Sequence, residues 1–169
     1  EESGITDKYN NLNLININFL KYKCTKRYNL ILGNPPYFLL YKKDVDDIYY
    51  DYFEGRPNIF ILFIVKSIGM LVDNGILSFV LPRSFLNCTY YNKLREHIYE
   101  NYTILDIVDC SNNLYIDTEQ QTIIFTMIKI KGKNKDFCIK LHTQYLFNTK
   151  ENIIKIKELL LNTTTLHEM

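Results

Sequence analysis

Two consecutive prolines at the end of a short apolar run constrain this chain more than any other feature. Tyr28 to Gly33 (YNLILG) reads as a strand, and Gly33-Asn34-Pro35-Pro36 stops it. Proline has no amide hydrogen to give a neighbouring strand, and it disfavours helical conformation in the residue before it. The backbone must therefore leave a sheet at this point and turn. Taken alone, Asn-Pro and Pro-Pro are ordinary turn formers, so the tetrapeptide Asn34-Pro35-Pro36-Tyr37 acquires meaning only from its surroundings.

Those surroundings alternate between strand and helix patterns. Leu12 to Leu20 (LNLININFL) alternates polar and apolar residues and reads as a strand running into a loop. Tyr37 to Pro57 is polar and tyrosine-rich, and reads as a long loop with one helical turn; loops of about 20 residues in compact domains are usually functional or mobile. Asn58 to Val72 carries apolar residues at helical spacing, with Asn58 as cap and Asp73-Asn74-Gly75 as terminator. Ile76 to Leu81 is a buried strand ended by Pro82. Tyr90 to Glu100 is an amphipathic helix with Lys93, Arg95 and Glu96 outward. Thr103 to Val108 and Thr122 to Ile130 are strands, the latter expected to pair antiparallel, and Asn152 to Leu160 is a helix. The order predicts an α/β fold: the C-terminal part of a doubly wound, Rossmann-like sheet with an antiparallel last strand. Ligands in such sheets bind beyond the carboxyl ends of the strands, where Asn34 to Tyr37 falls.

Composition narrows the classes. The 169 residues are one domain's worth, and 47% are hydrophobic against 23% charged, as in ordinary globular proteins. No apolar run approaches the roughly 18 residues of a membrane span, and the start, Glu1-Glu2-Ser3, has no signal-peptide character. Lacking an initiator methionine, the chain reads as an excerpt of a longer protein. With 20 basic and 19 acidic residues, global charge does not advertise nucleic-acid binding, so any contact surface is a local patch or lies elsewhere. Cys24, Cys88, Cys110 and Cys138 lack the pairing of a zinc site and read as reduced thiols of an intracellular protein. Asp44, Asp46, Asp47 and Asp51 read as a solvated face rather than a metal site.

Asn-Pro-Pro-Tyr suits the activation of an aromatic amino group. The amino nitrogen of adenine is a poor nucleophile because its lone pair is delocalised into the ring. Two acceptors that take both amino protons favour a pyramidal nitrogen with its lone pair free. The Asn34 side-chain oxygen is one, and the Pro35 carbonyl, held rigid by Pro36, is the other. Such acceptors act best pre-positioned in a water-poor pocket. Tyr37 offers a face for the base, a contact worth about 1–3 kcal/mol, and the base must leave its duplex to reach it.

Tyr28 to Tyr37 resembles the catalytic motif of amino-group methyltransferases, a motif that glutamine and ribosomal-RNA guanine methyltransferases share in close variants. Gly55-Arg56-Pro57-Asn58-Ile59-Phe60-Ile61-Leu62-Phe63, then Asn74 to Leu86 with Pro82-Arg83-Ser84-Phe85-Leu86, and Thr122-Ile123-Ile124-Phe125 resemble the gamma-class N6-adenine DNA methyltransferases of restriction–modification systems. The likeness covers residues 14 to 131. It implies S-adenosylmethionine as methyl donor, DNA as partner and an intracellular setting. The remainder of a longer chain, or a restriction or specificity subunit, would be a further partner.

The resemblance departs at three places. No Gly-rich cofactor loop occurs, the family's Asp ahead of Phe-Leu is Asn18 before Phe19-Leu20, and Asn58 stands where Asp is common. Asn18 and Phe19 are the implied cofactor contacts, Asn18 through its carbonyl oxygen. The implied second aromatic against the flipped base is Tyr115, although strict spacing from Thr122 falls on Ile116. Phe38 could flank the pocket, but an apolar residue after a strand end is more often core. Lys42, Lys43 and Arg83 are candidates for DNA phosphates, with Lys93 and Arg95 behind them. Residues 1–135 would form the partial catalytic domain, and 136–169 the start of a target-recognition region or linker. Two other readings stay open: an amino-methyltransferase acting on RNA or on protein glutamine, and a non-catalytic module of the same fold.

Overall fold

In a computed structural model of the chain, residues 12–110 and 121–167 are described, with side chains to residue 161. Four strands form one sheet in the order β1-β2-β4-β3: β1 (Tyr28–Gly33), β2 (Leu71–Pro82), β3 (Thr103–Asp109) and β4 (Thr122–Ile128). β1 and β2 are parallel, joined through helix α1 (Ile59–Met70), and β2 leads to β3 through α2 (Asn92–Asn101). β4 then inserts antiparallel between β2 and β3, as its sequence pattern predicts. A hairpin of β5 (Cys138–Leu141) and β6 (Gln144–Phe147) follows, and α3 (Lys150–His167) ends the chain.

The expected strand over Leu12 to Leu20 is not formed. Its alternation finds no partner strand among the described residues, and the segment runs irregularly into a 3-10 turn at Phe19–Lys21. The register Phe79↔Phe125, with Leu77↔Met127, Leu81↔Ile123 and Ile107↔Phe125, puts these side chains on one sheet face, all almost fully buried. Phe60 of α1 meets Phe85 edge-on at 6.0 Å, Phe85 meets Phe125 at 5.3 Å, and Phe125 stacks on Phe147 of the hairpin at 6.2 Å. Helix, loop, sheet and hairpin thus share one core, in which each fully buried apolar side chain contributes about 1.5–3 kcal/mol. Gly33 permits this packing, since a Cβ there would stand 3.0 Å from the Phe79 ring.

Helix α1 starts as expected, with the Asn58 side-chain oxygen accepting from the Phe60 amide. The expectation for Arg95 fails. It is fully buried on α2, donating to the carbonyls of Phe85, Cys88 and Tyr145, and burial lowers its pKa to about 10. An amphipathic reading assigned this charged residue to solvent. Packing instead turned it toward three carbonyl oxygens in the interior, so Arg95 offers nothing to a phosphate.

Candidate active site

β1 and β2 run parallel, so the loops that follow them leave the same end of the sheet. β3 also ends there and β4 begins there, Asp109 pairing with Ile123 and Pro82 with Thr122. Asn34 to Tyr37, Arg83 to Leu86 and Gln121 therefore come together, although more than 80 residues separate the first from the last in sequence.

Pro35 is buried, while Asn34 and Pro36 are exposed. The Tyr37 hydroxyl stands 2.8 Å from the Val80 carbonyl of β2 and 2.9 Å from Asn34 Oδ1. A phenol has one proton, so it donates to one of these oxygens at a time. Its ring is half-buried, edge-on to Phe60 at 6.2 Å, and burial pushes the phenol up to about 12. The tetrapeptide is thus braced against the neighbouring strand rather than hanging from β1 alone.

The long segment after Tyr37 is more ordered than its composition suggests. Leu40 donates to the Pro57 carbonyl and Ile59 to the Phe38 carbonyl, closing its base. Two 3-10 turns, Lys42–Asp44 and Asp47–Tyr52, bury Val45, Tyr49 and Phe53. Gly55 takes φ 63°, a left-handed turn where a side chain would be strained. Phe38, expected in the core, is 50% exposed, because the bridge at Leu39 and Asn58 turns its ring outward.

The other candidates separate. Asn18 caps its own turn, its oxygen accepting from the Leu20 amide, and Phe19 packs on Phe63 at 4.8 Å. Lys66 of α1 holds this segment by donating to the carbonyls of Leu20 and Tyr22, a link across more than 40 residues that no local pattern signals. A cleft of about 700 Å³ runs from Asn18 along Phe38, Leu62 and Val65 to Asp44. Lys42 lies over the Tyr50 ring at 4.6 Å and Lys43 over Tyr41 at 5.7 Å. Arg83 pairs with Asp109 at 3.3 Å and donates to Gln121 Oε1 at 3.2 Å. Tyr115 and Ile116 lie outside the described residues. Among the described residues no three His, Cys, Asp or Glu side chains converge to hold a metal, and no helix is long and apolar enough to cross a membrane.

Known proteins share this fold. The sheet resembles that of the type I restriction-modification methyltransferase subunit from Streptococcus thermophilus, with a TM-score of 0.54 and 20% identity over 85% of this chain and 34% of that one. A Listeria monocytogenes protein assigned to the class I S-adenosylmethionine-dependent methyltransferases gives a TM-score of 0.54 and 17% identity over 66% of this chain and 35% of that one. The fold is accordingly the Rossmann-like methyltransferase fold, present in part. In sequence the chain is 26% identical to the type II methyltransferase M.AccI of Acinetobacter calcoaceticus, 33% to the modification methylase CviBIII of Paramecium bursaria Chlorella virus NC1A, and 30% to M.HincII of Haemophilus influenzae. These matches cover 66%, 61% and 73% of the chain but 22%, 28% and 26% of the relatives, so the chain spans about a quarter of their length. The profile of the Eco57I restriction-modification methylases matches residues 2–116, and the chain belongs to that family.

Proposed function

We propose that this chain carries the acceptor half of a DNA methyltransferase that moves a methyl group from S-adenosylmethionine to the N6 amino group of adenine. The observation that supports it most is the bracing of Asn34 to Tyr37 at the carboxyl end of β1 through the Tyr37 hydroxyl and the Val80 carbonyl. With the phenol proton given to Val80, turning the Asn34 amide over puts its NH2, in place of the Oδ1 that stands 2.9 Å away, against the phenol oxygen and leaves Oδ1 facing outward. There it can accept one amino proton of a flipped adenine, while the Pro35 carbonyl accepts the other. S-adenosylmethionine would supply the methyl carbon and keep the electrons of its carbon–sulfur bond, while Asn34 Oδ1 and the Pro35 carbonyl hold the two amino protons, one of which leaves to water. Fixed acceptors need no reorganisation during this step. Tyr37 and Tyr115 would hold the two faces of the base.

S-adenosylmethionine, when bound, supplies an electrophilic methyl carbon on a sulfonium. The cleft beside Asn18 fits its purine end: apolar walls from Phe38, Leu62 and Val65, and a side-chain oxygen on Asn18 with a lone pair beyond its cap. We assign Asn18 to that end; Phe19, the other expected contact, does not line this cleft but packs on Phe63 and lines a separate pocket with Ile15, Tyr28 and Leu30. Residues 1–135 belong to the catalytic unit in this reading, and 136–169 begin a target-recognition region or linker, although Cys138, Tyr145 and Phe147 pack into the shared core. Lys42 and Lys43, in the loop that follows the motif, are assigned to phosphates. The setting is intracellular, and the partner besides DNA is the rest of a longer chain or a restriction subunit.

The test is Asn34→Ala in the full-length protein, with methylated products identified by mass spectrometry of nucleosides and peptides. N6-methyladenine from the parent and none from the variant, with the circular dichroism spectrum retained, is the expected result. Retained activity overturns the role of Asn34, and a methylated RNA base or glutamine overturns the substrate.

A further inference from the structure

A second polar groove, of about 620 Å³, lies at the same end of the sheet as the motif. The loop after β2 gives it Arg83, Ser84 and Asn87, the start of β4 gives Gln121, and the end of the hairpin gives Asn148. Three elements distant in sequence thus build one wall, with three side-chain amides on it.

The orientation of two of these amides follows from their partners. Gln121 Oε1 accepts from the Arg83 guanidinium, which has no acceptor to offer in return. Asn148 Oδ1 accepts from the Thr149 backbone amide at 2.9 Å and from the Asn152 side chain at 3.0 Å. Both oxygens are committed within the protein, so each NH2 is the end left to present to a ligand. Beside them the positive charge of Arg83 is balanced by Asp109 at 3.3 Å. A phosphate would meet the Asp109 carboxylate as a like charge. A neutral base edge carrying acceptors would not.

We propose that this groove reads a base neighbouring the target, taking an acceptor edge such as the O6 and N7 of guanine with the NH2 groups of Gln121 and Asn148. The proposal rests on the DNA reading above and adds a specificity determinant to it. The amide-lined wall acts on sequence choice, whereas Asn34 acts on the chemistry of the transfer. Asn87, an exposed residue of the same groove, can supply either a donor or an acceptor.

The experiment uses the full-length protein and its preferred duplex, found by mapping methylated adenines. kcat/KM is measured on that duplex and on duplexes with one neighbouring base pair changed at a time. Gln121→Ala removes one donor from an exposed position. Asn148→Asp keeps the oxygen that caps the Thr149 amide, so the fold is spared while the NH2 is lost. The expected result is a loss of discrimination of at least about fivefold at one neighbouring position, the others unchanged, since a good base contact is worth about 1–3 kcal/mol and about 1.4 kcal/mol is tenfold. A uniform loss on every duplex marks a phosphate contact and overturns the proposal. Unchanged discrimination in both variants also overturns it. A parent protein that methylates no duplex, but does methylate RNA or glutamine, overturns the DNA reading first and this one with it.

Discussion

The two faces of the sheet differ sharply. On one, Leu77, Phe79, Leu81, Ile123, Phe125 and Met127 are no more than 3% exposed beneath α1, α2 and the hairpin. On the other, Leu30 is 53%, Leu32 66% and Val108 44% exposed. The pairings Leu30↔Ile76, Leu32↔Ser78 and Val108↔Ile124 place these residues together on that second face. Parallel strands of the β1–β2 kind ordinarily have both faces covered. The helices joining β1 to β2 and β2 to β3 both serve the same face, so within the described residues the fold finishes one layer and leaves the other bare. The Asn34 to Tyr37 motif sits at the end of the sheet between them, braced from the finished side by Phe60.

The largest test of this contrast compares Phe125→Ala with Leu32→Ala. The first opens a cavity among Phe85, Phe147 and the strands and should cost about 3–5 kcal/mol in urea unfolding. The second should cost within about 0.5 kcal/mol, as at surface sites generally. Equal losses would show that the second face is buried in solution.

A smaller contrast lies within α2. Arg95→Met should destabilise by about 2 kcal/mol or more, because the carbonyls of Phe85 and Tyr145 lose this donor in the interior and that of Cys88 keeps the Tyr91 amide alone. Lys93→Met on the same helix should change stability by no more than about 0.5 kcal/mol by the same assay. A tolerated Arg95→Met would mean that apolar packing suffices there, as happens when buried charges are replaced whole.

The smallest effect concerns pH. Tyr37 has a folded pKa raised to about 12 from an ordinary value of 10 by burial, so the folded state holds this proton more tightly than the unfolded chain does. Its contribution is fully present below pH 10 and is lost as pH rises from 10 toward 12, where ionisation also removes the donor to Val80. The difference in stability between the parent and Tyr37→Phe should therefore shrink over that window. A difference that stays constant to pH 12 would place the phenol in water rather than against β2.

Much of this was legible locally. The strands over Tyr28 to Gly33 and Thr103 to Val108, the Asn58 cap and the antiparallel β4 follow from short apolar runs and turn residues, whose signals act within a few positions. The hairpin of β5 and β6 went unread, since each strand has four residues and its stability comes from packing on α2. The groove of Gln121 and Asn148 was equally invisible, because amides at such separation mean nothing until the sheet aligns them.

By itself the sequence determined that the chain must leave its sheet at Pro35-Pro36 with Asn34 and Tyr37 on either side. Steric restriction of φ and the missing proline amide act on neighbouring residues and need no tertiary partner. Only the tertiary structure decided that Tyr37 braces on Val80, 43 residues away, and that Arg95 turns inward to Tyr145, 50 residues away. Such contacts form when a buried polar group must find a partner inside the fold, and the partner is chosen by proximity in space rather than by spacing along the chain.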